Sequence, residues 1–483
     1  MPVDLGEPRS GWQVHCQDID SEISGGPGVG RSAGGYAPMA SQNTTPGRTM
    51  AQALGADVDG GVGSARWSGL ALSVSGIALV LMLIGVPALY LGSGMIDLQV
   101  YRTGGLAWLD GLPLYAKDFP GNLPGPPLPF TYPPIAAVLF GAVALLPMWL
   151  AKLLLSAAGL LALAGTCLVV SSRLAASAGL RGRSRFALTI GAAAAVVAMS
   201  FEPIRATLDF GQVNMLLMGL VVVDCLGVRN QAARGWLVGF AAAIKLVPAV
   251  FVLYFLVRKE WRAAANVAVS FVVFGLLGFV FAPKDTMDYW FGVLLADPSR
   301  VGGVAYATNQ SLRGVLHRIN PPAHVESVLW LLLAAAVVAI AVVAARRAAR
   351  AGDDVAAVIA IAVAGLLVSP ISWSHHWVWV APAMLMLGWA LWRARAWRYL
   401  PLWLVAGVVF GFGPFGWLPA EHDREMGWTF WQHLPGDSYV WLGLALEIVL
   451  AFFWRRGADG DSKPAVADGS AEITATAGGR NVT

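Results

Sequence analysis

Between residues 68 and 454 the chain is built from apolar runs of about 15 to 25 residues, close to the ~20 needed to cross a bilayer as a helix. The runs are continuous rather than alternating, which predicts helices and excludes a membrane barrel. Predicted spans cover 68–92, 151–171, 186–200, 213–227, 261–281, 326–345, 353–369, 376–392, 397–413 and 439–454. Two further runs are interrupted by proline: 131–148, with Pro133 and Pro134 at its start and Pro147 near its end, and 235–257, where Pro248 closely follows Lys245. The fold class expected is an all-α polytopic membrane protein of about 10–12 transmembrane helices, some proline-broken or re-entrant.

Composition agrees with this reading. Of the residues 57% are hydrophobic and 13% charged, against about 25% charged in soluble domains, and the mean hydropathy is +0.63. Cys16, Cys167 and Cys225 lack any metal-ligand spacing. Residues 1–66 and 457–483 are polar, rich in small residues and without apolar periodicity, so both are expected to be disordered cytoplasmic extensions of a catalytic domain spanning 67–456. No nucleic-acid partner is expected.

Charge placement orients the chain. Basic clusters occur within 173–185, at Arg258, Lys259 and Arg262, at Arg346, Arg347 and Arg350, at Arg393, Arg395 and Arg398, and at Arg455 and Arg456. All of them become cytoplasmic, as short basic loops prefer, if 131–148 dips into the membrane and returns and 235–257 breaks at Lys245. The polar residues outside these clusters then collect on the opposite, extracytoplasmic face, in 93–130, 201–212, 283–325, 369–376 and 414–438 together with the break itself.

Those segments hold the candidate chemistry. Asp97 follows the first apolar run; an ionisable group at such a place suggests function, though it could cap the next helix or pair with Arg102. Beyond the 186–200 span come Glu202, Arg205, Gln212 and Asn214, groups that could meet an anion or sugar hydroxyls, or merely cap a turn. Lys245 is isolated inside an apolar run, where it costs about 2.5–3.5 kcal/mol to insert. It could neutralise a phosphate, or snorkel. Gln310 and Arg313 lie in the long loop, and a guanidinium there could grip phosphate oxygens. His375 and His376 are adjacent, between Trp373 and Trp377. Neighbouring side chains on a helix diverge by about 100°, so the pair suits hydrogen bonding better than chelation, and no metal is expected.

Asp97 with Val100 and Tyr101, Phe130-Thr131-Tyr132-Pro133-Pro134, Glu202-Pro203 with Phe210-Gly211-Gln212-Val213-Asn214, Lys245-Leu246-Val247-Pro248, and Ser369-Pro370 through His376 come in this order. Together they resemble the actinobacterial polyprenyl-phosphate-mannose-dependent α-(1→2)-mannosyltransferases, glycosyltransferase family 87, of the GT-C fold class. The resemblance implies a plasma-membrane enzyme working at the extracytoplasmic face without a cofactor. It implies inverting transfer of mannose from polyprenyl-phosphate-mannose to a mannose 2-hydroxyl of a cell-envelope glycolipid, with Asp97 as general base. Lipomannan and lipoarabinomannan are the first acceptors it suggests and phosphatidylinositol mannosides the second. Lys245, Arg205, Arg313, His375 and His376 would serve the donor phosphate. Tyr101, Tyr132, Glu202, Gln212, Asn214, Gln310 and Trp373 would serve sugar and acceptor. A lipid-linked sugar flippase is the rival, but it would spread polar groups through the spans.

Overall fold

The computed structural model describes residues 61–180, 183–293, 302–420 and 422–454. Most of the proposed polar extensions, residues 1–60 and 455–483, therefore lie outside the described residues, as do Cys16, Arg455 and Arg456. Helices make up the fold, with a 24-residue link from 110 to 133 as its longest described connection, and the one β-type pairing among the described residues is an isolated bridge between Asn309 and Trp373. The first helix runs from Gly61 to Leu89, and its candidate span begins at Gly69.

Among the described residues four helices are long and apolar enough to cross a bilayer alone: Gly69–Gly92, Met148–Ser177, Trp261–Phe281 and Ala323–Arg350. A fifth candidate is bent by 68° between Ser184–Ala198 and Glu202–Phe210. Six shorter apolar helices of 10–17 residues accompany them, and the helix number expected from the sequence is approached only when these are included. Pro134–Ala144, with 11 residues, is about 16 Å long, half the hydrocarbon thickness. It starts on a proline, whose absent N–H costs nothing at a helix start, and Pro147 opens the next helix. The run 131–148 thus holds a helix too short to cross alone, the one that the charge pattern assigns to a dip.

The second proline-interrupted run also breaks where expected. Helix Trp236–Ile244 ends on Lys245, whose backbone is extended (φ −148°, ψ 125°). A 3₁₀ turn, Val247–Phe251, resumes the path around Pro248. At the centre stands Asp354–Val368, buried on all sides from Val355 to Leu367, where its many alanines let neighbouring helices approach closely.

A smaller apolar cluster carries the Asp97 helix, Ile96–Leu109. Gly105 makes that packing possible: a Cβ there would stand 2.6 Å from the Phe140 carbonyl oxygen, so only glycine lets the helix lie directly on the dip. Arg102 fastens the same contact by donating to the carbonyls of Val143 and Leu146 (2.7 and 2.5 Å), so it bonds to the end of the dip helix.

Candidate active site

Asp97 occupies the first turn of Ile96–Leu109, where a carboxylate is favoured by the helix dipole. Its partner comes from the next break in the fold. Gly211 ends helix Glu202–Phe210 in the left-handed conformation (φ 69°) and sits against Met95 and Leu98, which brings Gln212 to the Asp97 helix. The Gln212 side chain hydrogen-bonds Asp97, while its Oε1 accepts from Tyr101 (2.7 Å) and more distantly from Tyr132 (3.4 Å). The two phenols also bond each other at 2.9 Å. Tyr101 stacks on Phe140 at 4.3 Å, so the network has a rigid back wall. Burial pushes the Asp97 carboxyl above the usual carboxylate range, and the Gln212 hydrogen bond and the Lys245 charge offset this only in part.

Lys245 faces the same network. Its Nζ donates to Asn214 Oδ1 (3.1 Å), lies 3.2 Å from His376 Nε2, and sits 5.6 Å from the centre of the Tyr132 ring. With a charged ammonium as donor, His376 Nε2 must accept, leaving the imidazole proton on Nδ1. Asn214 is fixed from the other side, where its amide donates to the His375 carbonyl (2.8 Å), an oxygen that also takes the Thr207 hydroxyl (3.0 Å). Among the described residues no carboxylate lies within ion-pair distance of Lys245.

Lys245, Asn214 and His376 form the polar end of a cavity whose other walls are apolar, among them Leu217, Val221, Phe251 and Trp379. The cluster therefore joins a carboxylate, a cation without a carboxylate partner, and an apolar groove. Among the described residues no group of three His, Cys, Asp or Glu side chains could hold a metal ion.

Asp97, Tyr101, Tyr132, Gln212, Asn214, Lys245 and His376 are thus brought together. The other candidates stand elsewhere. His375 turns its ring against Phe210 (5.1 Å) and edge-on to His376 (4.9 Å), so it supports the site through its carbonyl. Glu202 accepts from Ser374 and Tyr439, both at 2.8 Å, bracing the segment that carries the histidines. Arg205 bonds to the carbonyls of Ser200 and Gly411, closing the bend before its own helix. Gln310 is buried, donating to the carbonyls of Ala307 and Gly436 and accepting from the Tyr439 amide. Arg313 pairs with Glu326 (3.4 Å) and lies over Trp330. Trp373 packs against Tyr306 and the turn at Gly302. Sequence reasoning passed over Thr207 and the apolar groove walls; a threonine inside a helix and valines in a span carry no signal of their own.

The model of glycosyltransferase family 87 matches residues 130–370. A Mycobacterium tuberculosis protein is 41% identical over 363 residues, covering 73% of this chain and 84% of its own length. The chain belongs to glycosyltransferase family 87. That relative is named a polyprenol-phosphate-mannose-dependent α-(1-2)-phosphatidylinositol mannoside mannosyltransferase. A Mycolicibacterium smegmatis protein of the same name is 38% identical over 373 residues, 74% of this chain and 83% of the relative. A second M. smegmatis family member, named for phosphatidylinositol pentamannoside, is 36% identical over 298 residues, 61% of this chain and 70% of its own. No solved structure matches. The family 87 chain is accordingly an all-α, multi-pass membrane glycosyltransferase of the GT-C class, and the flippase reading is set aside.

Proposed function

We propose that this family member transfers mannose from polyprenyl-phosphate-mannose to the 2-hydroxyl of a mannose on a phosphatidylinositol-mannoside glycolipid, inverting the anomeric carbon, at the extracytoplasmic face. The relatives' names support the donor and the linkage, and they favour phosphatidylinositol mannosides over lipomannan and lipoarabinomannan as acceptor.

The observation that carries the reading is the opposition of Asp97 and Lys245 across the Tyr101–Tyr132–Gln212 network, at the polar mouth of an apolar groove. An isoprenoid phosphate needs such a groove for its chain and a cation for its head. Asp97 takes the proton of the acceptor hydroxyl as the hydroxyl oxygen bonds to C1. The C1–O bond to phosphate breaks, and its electron pair leaves on polyprenyl phosphate. The developing charge is met by Lys245, with Asn214 and His376 holding the ammonium in place. Attack opposite the leaving group converts a β-mannosyl donor into an α-mannoside. Burial serves the base as well, since a carboxylate above its usual pKa is a stronger proton acceptor once ionised.

The extracytoplasmic assignment rests on charge. Arg258 pairs with Asp354 and Glu260, and Arg234 with Glu260, all in or beside the basic loops expected inside. The reacting residues come from the loops expected on the other side.

The test is incubation of the purified full chain in nanodiscs with synthetic mannosyl phosphopolyprenol and a phosphatidylinositol dimannoside, with linkage analysis of the product. The expected product carries a new α-(1→2)-mannose and releases polyprenyl phosphate. A β-linkage, or transfer only from a nucleotide sugar, would overturn the mechanism.

A further inference from the structure

A second depression opens between the loop around residue 306 and the loop around residue 423, away from Lys245. It encloses ≈ 1140 Å³ including the solvent at its mouth, and its lining includes Tyr306, Thr308, His422, Asp423 and Glu425. None of these belongs to the Asp97–Lys245 cluster. We infer that this depression is a subsite for the non-reacting sugars of the acceptor, a neutral oligomannosyl chain extending beyond the residue that is glycosylated.

The chemistry of the lining selects the ligand class. Tyr306 is 46% exposed although its ring lies 6.0 Å from that of Trp373, so one aromatic surface is supported from behind and open in front. Such a surface suits the C–H face of a sugar ring. Around it stand carboxylate, imidazole and hydroxyl groups, which accept from or donate to hydroxyls. The carboxylates disfavour a phosphate or another anion in the same place. The depression lacks the leucine, valine and phenylalanine side chains that line the groove below Lys245, so it suits an acyl or isoprenoid chain less well.

The wall is preorganised. Arg318 is wholly buried, and its guanidinium donates to the carbonyls of Ala305 (3.2 Å), Tyr306 (3.0 Å) and Asn309 (3.1 Å) while pairing with Asp437. Glu425 ties the two loops together by accepting from the Ala307 amide at 3.2 Å. Asn309 Oδ1 then accepts from the Ser372 amide (2.9 Å), and Gln310 N–H donates to the Ser372 carbonyl (2.8 Å). The wall is therefore fixed to the segment that bears His376. Trp373 supports Tyr306, and three residues later His376 meets Lys245, a backbone separation of at most about 11 Å. That bound puts the two places within reach of one oligosaccharide, and sugars held in the depression would lie beyond the reacting one, so the depression would read acceptor length. Only the identity of the sugar rests on the mannosyl-transfer reading.

Two measurements on the full chain in nanodiscs test this. The first is binding of free mannotetraose to wild type, Tyr306→Ala and Tyr306→Phe. Wild type and Tyr306→Phe are expected to bind, with affinity lowered about tenfold or more in Tyr306→Ala. The second compares a monomannosyl with a tetramannosyl acceptor in Tyr306→Ala and Asp423→Asn. The expected result is a KM about tenfold higher for the long acceptor with kcat retained, so that the preference for the long acceptor falls. Equal binding by wild type and Tyr306→Ala, or equal kinetic changes for both acceptors, would overturn the subsite. Failure of wild type to transfer to either acceptor would count against mannosyl transfer, while the binding experiment would still decide the subsite.

Discussion

Two cations, the wholly buried Arg318 and the half-buried Lys245, sit in networks of opposite design. Arg318 is saturated: Asp437 takes two of its nitrogens, at 3.1 and 2.5 Å, and three backbone carbonyls take the rest. His433 donates to the remaining oxygen of the same carboxylate at 2.7 Å. Lys245 has only neutral partners within hydrogen-bonding distance, Asn214 and His376, with Asp97 acting on it from farther off. A cation whose charge is already balanced stabilises the fold, whereas one left with neutral ligands at a cavity mouth is available to an incoming anion. Desolvated charge is tolerated in both places for different reasons.

The largest effect should come from breaking the saturated network. Arg318→Met leaves Asp437 buried without its partner, at a cost of about 3–5 kcal/mol. Thermal unfolding in detergent should show a marked drop in Tm, and little folded protein should be recovered. Lys245→Gln should behave in the opposite way, with Tm near wild type and kcat/KM lowered about 10²–10³-fold, the scale of losing one charged donor at a developing anion. If Lys245→Gln unfolds the protein while Arg318→Met does not, the two roles are reversed.

Smaller effects should appear in the pH profile. Asp97 acts as a base only when ionised, so kcat/KM rises with pH through its pKa. Burial raises that pKa, which puts the acid limb above the ordinary carboxylate range. Gln212→Leu removes a hydrogen bond that favours the charged form, so the limb should move to still higher pH, with a modest loss at neutral pH measured as kcat/KM against pH. A limb unmoved by this change would uncouple Gln212 from the base. Smallest of all is Arg313→Gln, whose partner Glu326 also holds His317 at 2.9 Å. Transfer within about twofold of wild type is expected in the same assay, since Arg313 is partly exposed, stands outside the Asp97–Lys245 cluster and leaves Glu326 paired with His317.

The fold was legible wherever a continuous apolar run was bounded by polar residues. The span read at 261–281 is Trp261–Phe281 in the structure, and the break at Lys245 followed from a lone charge beside Pro248. Which polar residues meet was legible only where breaks concentrate them. Gln212 and Asn214 stand on either side of a helix start and reach two different partners, so a polar turn there was informative. Arg205 and Arg313 show the limit. A guanidinium suits phosphate by type, but its partner is set by folding: Gly411 bonds Arg205 from 206 residues away, and Glu326 lies one turn and a helix beyond Arg313. The groove walls were hidden for another reason. Leu217, Val221 and Phe251 look like any lipid-facing residue until neighbouring helices leave a space between them.

The most direct test of the reaction centre is the single-turnover rate of mannose transfer by folded Asp97→Asn at saturating mannosyl phosphopolyprenol. The expected result is a fall of about 10²–10⁴ from the wild-type rate, the contribution of a positioned general base. Transfer at the wild-type rate would remove Asp97 from the reaction and with it the active site described above.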